Sequence, residues 1–171
     1  MADGLTASRG ARRAPGTPRH TPGALILAIG VISAPGFLSR RTALRETWMK
    51  WPNVNTPLAA VVVRFVVRTA GAPTAVAALL REENAEHADL LPVHVAWNET
   101  RMRGPVLSLG AWLRHATAAY PDAAFVAKVD DDVYLHLPDV EAMLRAVAST
   151  AGIDAEHAYM GPITYFHWYL R

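Results

Sequence analysis

The stretch ALILAIGVISA (residues 24–34) is the feature of the sequence that first indicates the fold. Its 11 residues are too few to cross a bilayer, which takes about 20. A continuous apolar run of this length is typical of a β-strand that is covered on both faces, as in parallel sheets. The segment before it, residues 1–23, is rich in Pro, Gly and Arg and has little to bury, so we expect a disordered, basic segment there.

The rest of the chain alternates between strand-like and helix-like patterns. Further strands are predicted at residues 59–67, 89–95, 123–129 and 159–163. Helices are predicted over residues 39–50, after Pro73, over residues 105–120 and from Pro138. This alternation predicts βαβ units, and therefore a Rossmann-like α/β fold with a mostly parallel sheet flanked by helices. We expect residues 24–171 to form one such domain.

The helix after Pro73 has two chemically different sides. Val76, Leu79 and Leu80 are expected on one side, and three glutamates are expected on another. These glutamates are Glu82, Glu83 and Glu86.

The composition excludes several classes of function. Residues 1–23 contain four arginines and one aspartate, which leaves 13 basic and 14 acidic residues in the remainder of the 171-residue chain. The body of the protein is therefore near neutral, and nucleic acid is not expected as a partner. The chain has no cysteine, so a disulfide framework, a thiolate metal site and a cysteine nucleophile are all excluded.

An acidic triplet, Asp130, Asp131 and Asp132, follows the apolar run FVAKV. Side chains alternate along an extended segment, so Asp130 and Asp132 should share one side and Asp131 should face the other. Two carboxylates at a strand end suit a hard divalent cation whose shell is completed by phosphate oxygens. Lys128 should lie beside Asp130. The alternative is a solvated acidic turn, but the apolar flanks favour the metal site.

A second polar cluster is the arginine-rich stretch SRRTALRETW (residues 39–48). Ser39 is placed to cap a helix, and Arg40, Arg41 and Arg45 then fall in its first turns. Arginines at a helix N-terminus are favourable if they hold an anion such as a nucleotide diphosphate. They are equally favourable if they pair with acidic side chains inside the protein. In the second case Arg45 would be a structural ion-pair partner and Arg40 would be solvated, and the residues leave both cases open.

Other catalytic and ligand-binding signatures are absent from the sequence. His94, His115 and His136 are not at zinc-ligand spacing. No phosphate-binding P-loop or dinucleotide fingerprint follows a strand, and no Gly-x-Ser-x-Gly nucleophile motif is present.

The two polar clusters, taken in order, resemble those of the β-1,3-galactosyltransferase group, glycosyltransferase family 31. The pattern Arg-Arg-x-x-x-Arg-x-Thr-Trp is present at residues 40–48, and Phe-Val-x-Lys-x-Asp-Asp-Asp-Val is present at residues 125–133. A Tyr-x-Gly step follows at Tyr159 and Gly161. The resemblance extends over roughly residues 24–171, and the ordered set of motifs is more specific than either cluster alone.

The resemblance implies a GT-A fold and an inverting hexosyltransferase. Such an enzyme moves galactose or an N-acetylhexosamine from a UDP-sugar to a hydroxyl group of a glycan or glycoprotein, with β-1,3 linkage. It also implies Mn²⁺ as cofactor, a role in protein glycosylation and residence at the Golgi membrane. We expect the membrane anchor to lie outside this sequence, because no span is visible in it.

The resemblance also assigns roles to individual residues. Asp132 is implied as the metal ligand, Asp130 as a contact to the ribose and the metal shell, and Asp131 as a support for the loop. The implied metal-binding residues are Asp130 and Asp132. The implied donor-binding residues are Arg41, Arg45, Lys128, Asp130 and Asp131.

The sequence departs from the family pattern in one stretch. The usual Asp-Ser-Tyr-x-Asn-Leu-Thr-x-Lys is represented by residues 99–107, which contain no lysine. Arg101 or Arg103 is the candidate to replace that donor contact. The acceptor-binding half and the catalytic base, an acidic residue, are expected beyond Arg171, so the present chain is expected to be the donor-binding half.

Two other functions remain as alternatives. The first is a non-catalytic module that binds a nucleotide sugar or a glycan without transferring it. The second is a metal-dependent phosphohydrolase with an aspartate nucleophile, although the supporting threonine or lysine motif of such enzymes is not found.

Overall fold

The protein is described by a computed structural model over residues 25–57, 59–149 and 158–161. The strands are β1 (Leu27–Ser33), β2 (Val61–Ala70), β3 (Leu90–Ala96) and β4 (Phe125–Asp130). They form one four-stranded sheet in the order β3-β2-β1-β4, and every pairing in it is parallel. The expected Rossmann-like α/β architecture, of the kind found in GT-A domains, is confirmed.

In the residues that the structure describes, four α-helices connect or follow the strands. They are α1 (Leu38–Glu46), α2 (Thr74–His87), α3 (Arg103–Ala119) and α4 (Leu137–Ser149). A short 3₁₀ helix, Trp48–Lys50, continues from the end of α1. In the described part of the chain, no helix is long and apolar enough to cross a membrane.

Strand β1 lies at the centre of the sheet, and all seven of its residues are buried. It pairs with β2 on one side and with β4 on the other; Ile29, for example, is in register with Val63 and Ala127. Burial on both faces is why this strand is apolar throughout rather than alternating.

The two faces of the sheet are covered by different helices. Ile29 and Val31 belong to a core cluster that includes Leu44 of α1, Leu80 of α2 and Leu144 of α4. The intervening residues of β1 face α3, where a second cluster contains the residues Ala28, Ile32, Val66, Trp112 and Ala116. Both clusters bury large apolar side chains, which is the main source of stability in such a fold.

Trp112 of α3 packs directly onto the middle of β1. The indole is fully buried and donates from Nε1 to the carbonyl oxygen of Ala127, at 2.9 Å. A Cβ added to Gly30 would lie 2.4 Å from the Trp112 ring, so this close approach requires glycine.

The connections move outward from β1 to β3, with α1 and α2 on one face, and then return over the opposite face through α3 to β4. The direction therefore reverses beside β1, between its neighbours β2 and β4. In open α/β sheets, the crevice at such a reversal, outside the carboxyl ends of the strands, is where ligands bind.

Several local predictions need correction. Helix α1 begins at Leu38, its N-cap is Phe37, and no side chain caps it, so Ser39 is not the cap. In α2, Leu79 is 65% exposed while Glu83 is buried, which reverses the sides expected for these two residues. The strand predicted at residues 159–163 is absent from its described part, residues 159–161. Residues 1–23 and 162–163 lie outside the described residues.

Candidate nucleotide-sugar and metal site

A cavity of about 610 Å³ opens at the carboxyl ends of β1, β2 and β4, where the direction of the strand connections reverses. Its walls come from the end of β1 and the following loop, the start of α1, the end of β2, the segment before α3 with the first turn of α3, and the end of β4. The residues that line it are Ile32, Ser33, Ala34, Phe37, Arg40, Arg68, Glu99, Arg101, Pro105, Lys128 and the three aspartates 130–132. Both polar clusters of the sequence thus contribute side chains to one cavity.

The acidic triplet lies at the end of β4. Asp130 is the last residue of the strand, and the next two residues form a turn. The side chains of Asp130 and Asp132 are 52% and 64% exposed, whereas that of Asp131 is only 6% exposed. The exposures alternate as predicted, but the extended backbone that the prediction assumed ends at Asp130. All three aspartates line the same cavity, so Asp131 does not face away from it.

Two cations balance part of the acidic charge. Lys128 Nζ lies 2.7 Å from Asp130 Oδ2, so these side chains share a side, as predicted. Arg40 Nη1 donates to Asp131 Oδ1 at 2.8 Å and lies 3.4 Å from Asp132 Oδ2. The hydrogen bond to Asp131 and the charge of Asp131 raise the pKa of Arg40. Arg40 is therefore not simply solvated. We refer to Arg40, Lys128, Asp130, Asp131 and Asp132 as the cavity cluster.

The turn that carries the aspartates is attached to the core on its far side. Trp48 is buried, and its Nε1 donates to the carbonyl oxygen of Val133 at 3.2 Å. The amide of Val133 donates in turn to the carbonyl oxygen of Asp130, at 3.3 Å. These bonds fix the turn relative to the end of α1.

The second polar cluster is divided between two environments. Arg41 has no exposed side-chain surface. It donates from Nε and Nη2 to the two carboxylate oxygens of Glu83, at 2.8 and 2.7 Å. Its remaining donors reach Ser33 Oγ and the carbonyl oxygens of Ala34 and Pro35.

Arg45 is also turned inward. It donates to Glu83 Oε1 at 2.7 Å and to both oxygens of Asp89 at 2.8 Å. We refer to Arg41, Arg45, Glu83 and Asp89 as the buried cluster. Since neither arginine lines the cavity and both hold acidic partners, the structure gives them the internal ion-pair role. Arg41 and Arg45 are therefore not candidates for binding the donor.

The contacts within the buried cluster shift the pKa of Glu83 and of Arg45. Burial alone would raise the pKa of Glu83, but the hydrogen bonds and charges of Arg41 and Arg45 outweigh it, and the pKa lies below its ordinary value. Burial alone would lower the pKa of Arg45, but Asp89 and Glu83 outweigh it, and the pKa is raised. Glu83 and Arg45 are thus both held in their charged forms.

The donor atoms of the cavity cluster suit a hard cation. In the described part of the chain, no three His, Asp or Glu side chains converge as a ready-made metal site. Mg²⁺ and Mn²⁺, however, need only one or two carboxylates when substrate phosphates complete the shell. Asp131 Oδ2 is buried and has no hydrogen-bond partner, and Asp130 and Asp132 present exposed oxygens beside it. These residues fit such a cation bound together with a phosphate ligand.

Sequence reasoning did not single out Arg68, and it left the choice between Arg101 and Arg103 open. Arg101 lines the cavity and Arg103 does not. Arg68 lines the cavity from the end of β2. The available signal was its position at the carboxyl end of a buried, parallel strand, which is where ligands bind in this architecture.

Known proteins are similar in sequence to most of this chain. The family model described as Galactosyltransferase matches residues 39–161. "Beta-1,3-galactosyltransferase 6" of Mus musculus is 35% identical over 121 residues, which cover 70% of this chain and 36% of that protein. "UDP-GlcNAc:betaGal beta-1,3-N-acetylglucosaminyltransferase 8" of Mus musculus is 30% identical over 145 residues, 80% of this chain and 33% of that protein.

A plant protein is similar to this chain to a comparable extent. "Probable beta-1,3-galactosyltransferase 8" of Arabidopsis thaliana is 33% identical over 146 residues, 79% of this chain and 34% of that protein. The chain spans about a third of the length of these relatives. The match of the family model over most of the chain, including both polar clusters, leads to one conclusion. The chain belongs to the galactosyltransferase family, glycosyltransferase family 31.

Proposed function

We propose that this chain binds the donor of a hexosyltransferase reaction, a UDP-sugar, together with Mn²⁺. The reaction is the transfer of galactose or an N-acetylhexosamine to a hydroxyl of a glycan or glycoprotein acceptor, with inversion and a β-1,3 linkage. The observation that carries the proposal is the cavity at the carboxyl ends of β1, β2 and β4, which is lined by three aspartates. Membership of the family supports the reaction type, and we also propose the Golgi as its site.

Each residue of the cavity cluster has a part in this proposal. Asp130 and Asp132 would hold the cation, because their oxygens are accessible from the cavity. Asp131 is buried and bonded to Arg40, so it holds the turn in place, as the resemblance implies. Lys128 limits the repulsion between the carboxylates in the absence of ligand.

A bound Mn²⁺ would neutralise charge that develops on the leaving diphosphate. The chain's own contribution is positional. The rigid end of β4 and the Trp48 bond to Val133 fix the carboxylates before any ligand arrives. Such preorganisation lowers the cost of binding, since few side chains must be ordered in the complex.

The test is calorimetric titration of UDP into the protein with and without Mn²⁺. We expect UDP binding to require Mn²⁺ and to weaken on the order of 30-fold in Asp132→Asn, because one charged ligand of the cation is lost. Asp122→Asn is the matched control, since Asp122 is exposed and lies outside the cavity. Metal-independent binding, or equal affinities in the two variants, would contradict the proposal.

A second measurement separates the transferase from its alternatives. A transferase releases UDP from a UDP-hexose slowly until an acceptor glycan is supplied. A binding module releases no UDP, with or without the acceptor. A phosphohydrolase would release phosphate from simple esters. The relevant measurement is UDP release from UDP-galactose and UDP-N-acetylglucosamine with and without acceptor, in a protein of the length of the relatives.

A further inference from the structure

Arg68 is a buried arginine without a partner. Arg68 is 9% exposed, and in the described part of the protein its side chain has no hydrogen-bond or ion-pair partner. Its Nε is fully buried and unsatisfied. On the basis of the function proposed above, we infer that Arg68 binds the diphosphate group of the donor.

The position of Arg68 is unusual for an internal arginine. A guanidinium that is removed from water without a counterion destabilises a protein unless an anion is bound to it. The buried cluster shows the normal arrangement in this fold, in which Arg41 is completely enclosed but bonded to Glu83. Arg68 has no such carboxylate, and it lines the cavity instead of the core.

The other cations of the cavity are differently placed. Arg40 and Lys128 are bonded to aspartates of the acidic triplet. Arg101 lines the cavity but is exposed, so water can solvate its charge. Arg68 is therefore the buried cation of the cavity lining that has no carboxylate partner, and it is the one for which an anionic ligand would compensate most.

Helix α3 makes room for the Arg68 side chain. A Cβ added to Gly104, in the first turn of α3, would lie 2.2 Å from Arg68 Nη1 and 2.7 Å from its Cζ. The guanidinium thus lies against the N-terminal end of a 17-residue helix. The positive end of the helix dipole and the arginine act in the same direction on an anion placed there.

Arg68 lies close to the stretch in which this sequence departs from the family pattern. Gly104 lies within residues 99–107, the stretch that has no lysine here. Arg68 brings a cation to this stretch from a neighbouring strand, β2, rather than from within it. A guanidinium can bond two phosphate oxygens at once, which suits a diphosphate. The cation bound by Asp130 and Asp132 and the guanidinium would then act on the diphosphate together.

The experiment measures affinities for UDP and for uridine at saturating Mn²⁺, in the wild type and in Arg68→Gln. We expect UDP to bind on the order of 30-fold more weakly to the variant, with uridine binding unchanged, because uridine has no phosphate. Arg68→Lys should recover part of the loss. An unchanged affinity for UDP, or an equal loss for uridine, would overturn the inference.

A second pair of variants leaves the arginine in place. Gly104→Ala forces the guanidinium away from α3 and should weaken UDP binding, although alanine favours the helix. Gly110→Ala lies in the same helix, and its Cβ would meet only Arg114 Nη1 at an ordinary 3.7 Å, so UDP binding should not change. Equal UDP affinities for the two alanine variants would also overturn the inference. If Arg68→Gln does not fold, the comparison of Gly104→Ala with Gly110→Ala still tests the role of Arg68 in UDP binding.

The Asp132→Asn variant separates this inference from the proposed function. If the wild type does not bind UDP in the presence of Mn²⁺, both fail. If the wild type binds UDP, Asp132→Asn weakens that binding and the Arg68 and Gly104 variants do not, only the role of Arg68 fails.

Discussion

Helix α1 carries two adjacent arginines that end in opposite environments. The Arg41 side chain is 0% exposed and bonded to Glu83, while the Arg40 side chain is 44% exposed and bonded to Asp131 at the cavity. The buried cluster leaves few of its polar atoms unsatisfied, whereas the cavity cluster contains exposed carboxylates. The difference shows that one arginine-rich motif can hold a fold together and also contribute to a site.

The separation follows from helix geometry. Successive residues of an α-helix point about 100° apart, so neighbours in sequence reach different partners. Arg45, four residues after Arg41, lies on the same side and joins the same acidic partner. The cost of removing a partner should therefore differ sharply between the two clusters, because a charge left alone in the interior cannot be solvated.

The largest expected effect is the loss of Glu83. The variant Glu83→Gln leaves Arg41 enclosed without a carboxylate, so we expect the free energy of unfolding to fall by about 3 kcal/mol. Glu82→Gln is the matched control on the same helix, since Glu82 is exposed, and we expect a change within about 0.5 kcal/mol. Urea denaturation measures both variants. Similar losses for the two would show that the buried cluster does not have the structural role assigned to it.

A second, smaller effect is the dependence of stability on pH. The pKa of Glu83 in the folded protein lies below its ordinary value of 4.5, so the unfolded chain takes up a proton first as the solution is acidified. The stabilisation from this group is fully present above pH 4.5 and is lost as the pH falls from there through the folded pKa. Urea denaturation at a series of acidic pH values should show a weaker pH dependence in Glu83→Gln than in the wild type. Parallel curves would contradict this assignment.

The smallest effect on stability is expected in the cavity cluster. Lys128 and Asp130 are both substantially exposed, so Lys128→Gln should change the free energy of unfolding by less than about 0.5 kcal/mol. Removing this positive charge should tighten Mn²⁺ binding by about threefold, because the cation no longer meets a nearby like charge. Lys50→Gln, the chain's other lysine, is the control, since Lys50 lies outside the cavity lining. Calorimetry with Mn²⁺ measures both, and weaker binding in Lys128→Gln would count against a metal site here.

The sequence was sufficient to predict the sheet and the position of the acidic triplet at the end of a strand. Both depend on a local pattern, namely continuous apolar runs. It could not assign Arg41 and Arg45, because Glu83 is 42 and 38 residues away from them in the chain. Glu83 was expected on a different side of α2 from Leu80 for the same reason, since its charge is compatible with burial only beside these two arginines. Arg68 was missed because nothing local shows that an arginine in a strand will lack a partner.

Pro92 has a consequence for association between molecules. It lies within β3, at one edge of the described sheet, in register with Val67 of β2. Proline has no backbone N–H to offer, so a further strand that approached this edge would find a break in the hydrogen-bonding ladder. We expect this edge to resist strand addition by another chain, which protects a very apolar sheet from aggregation.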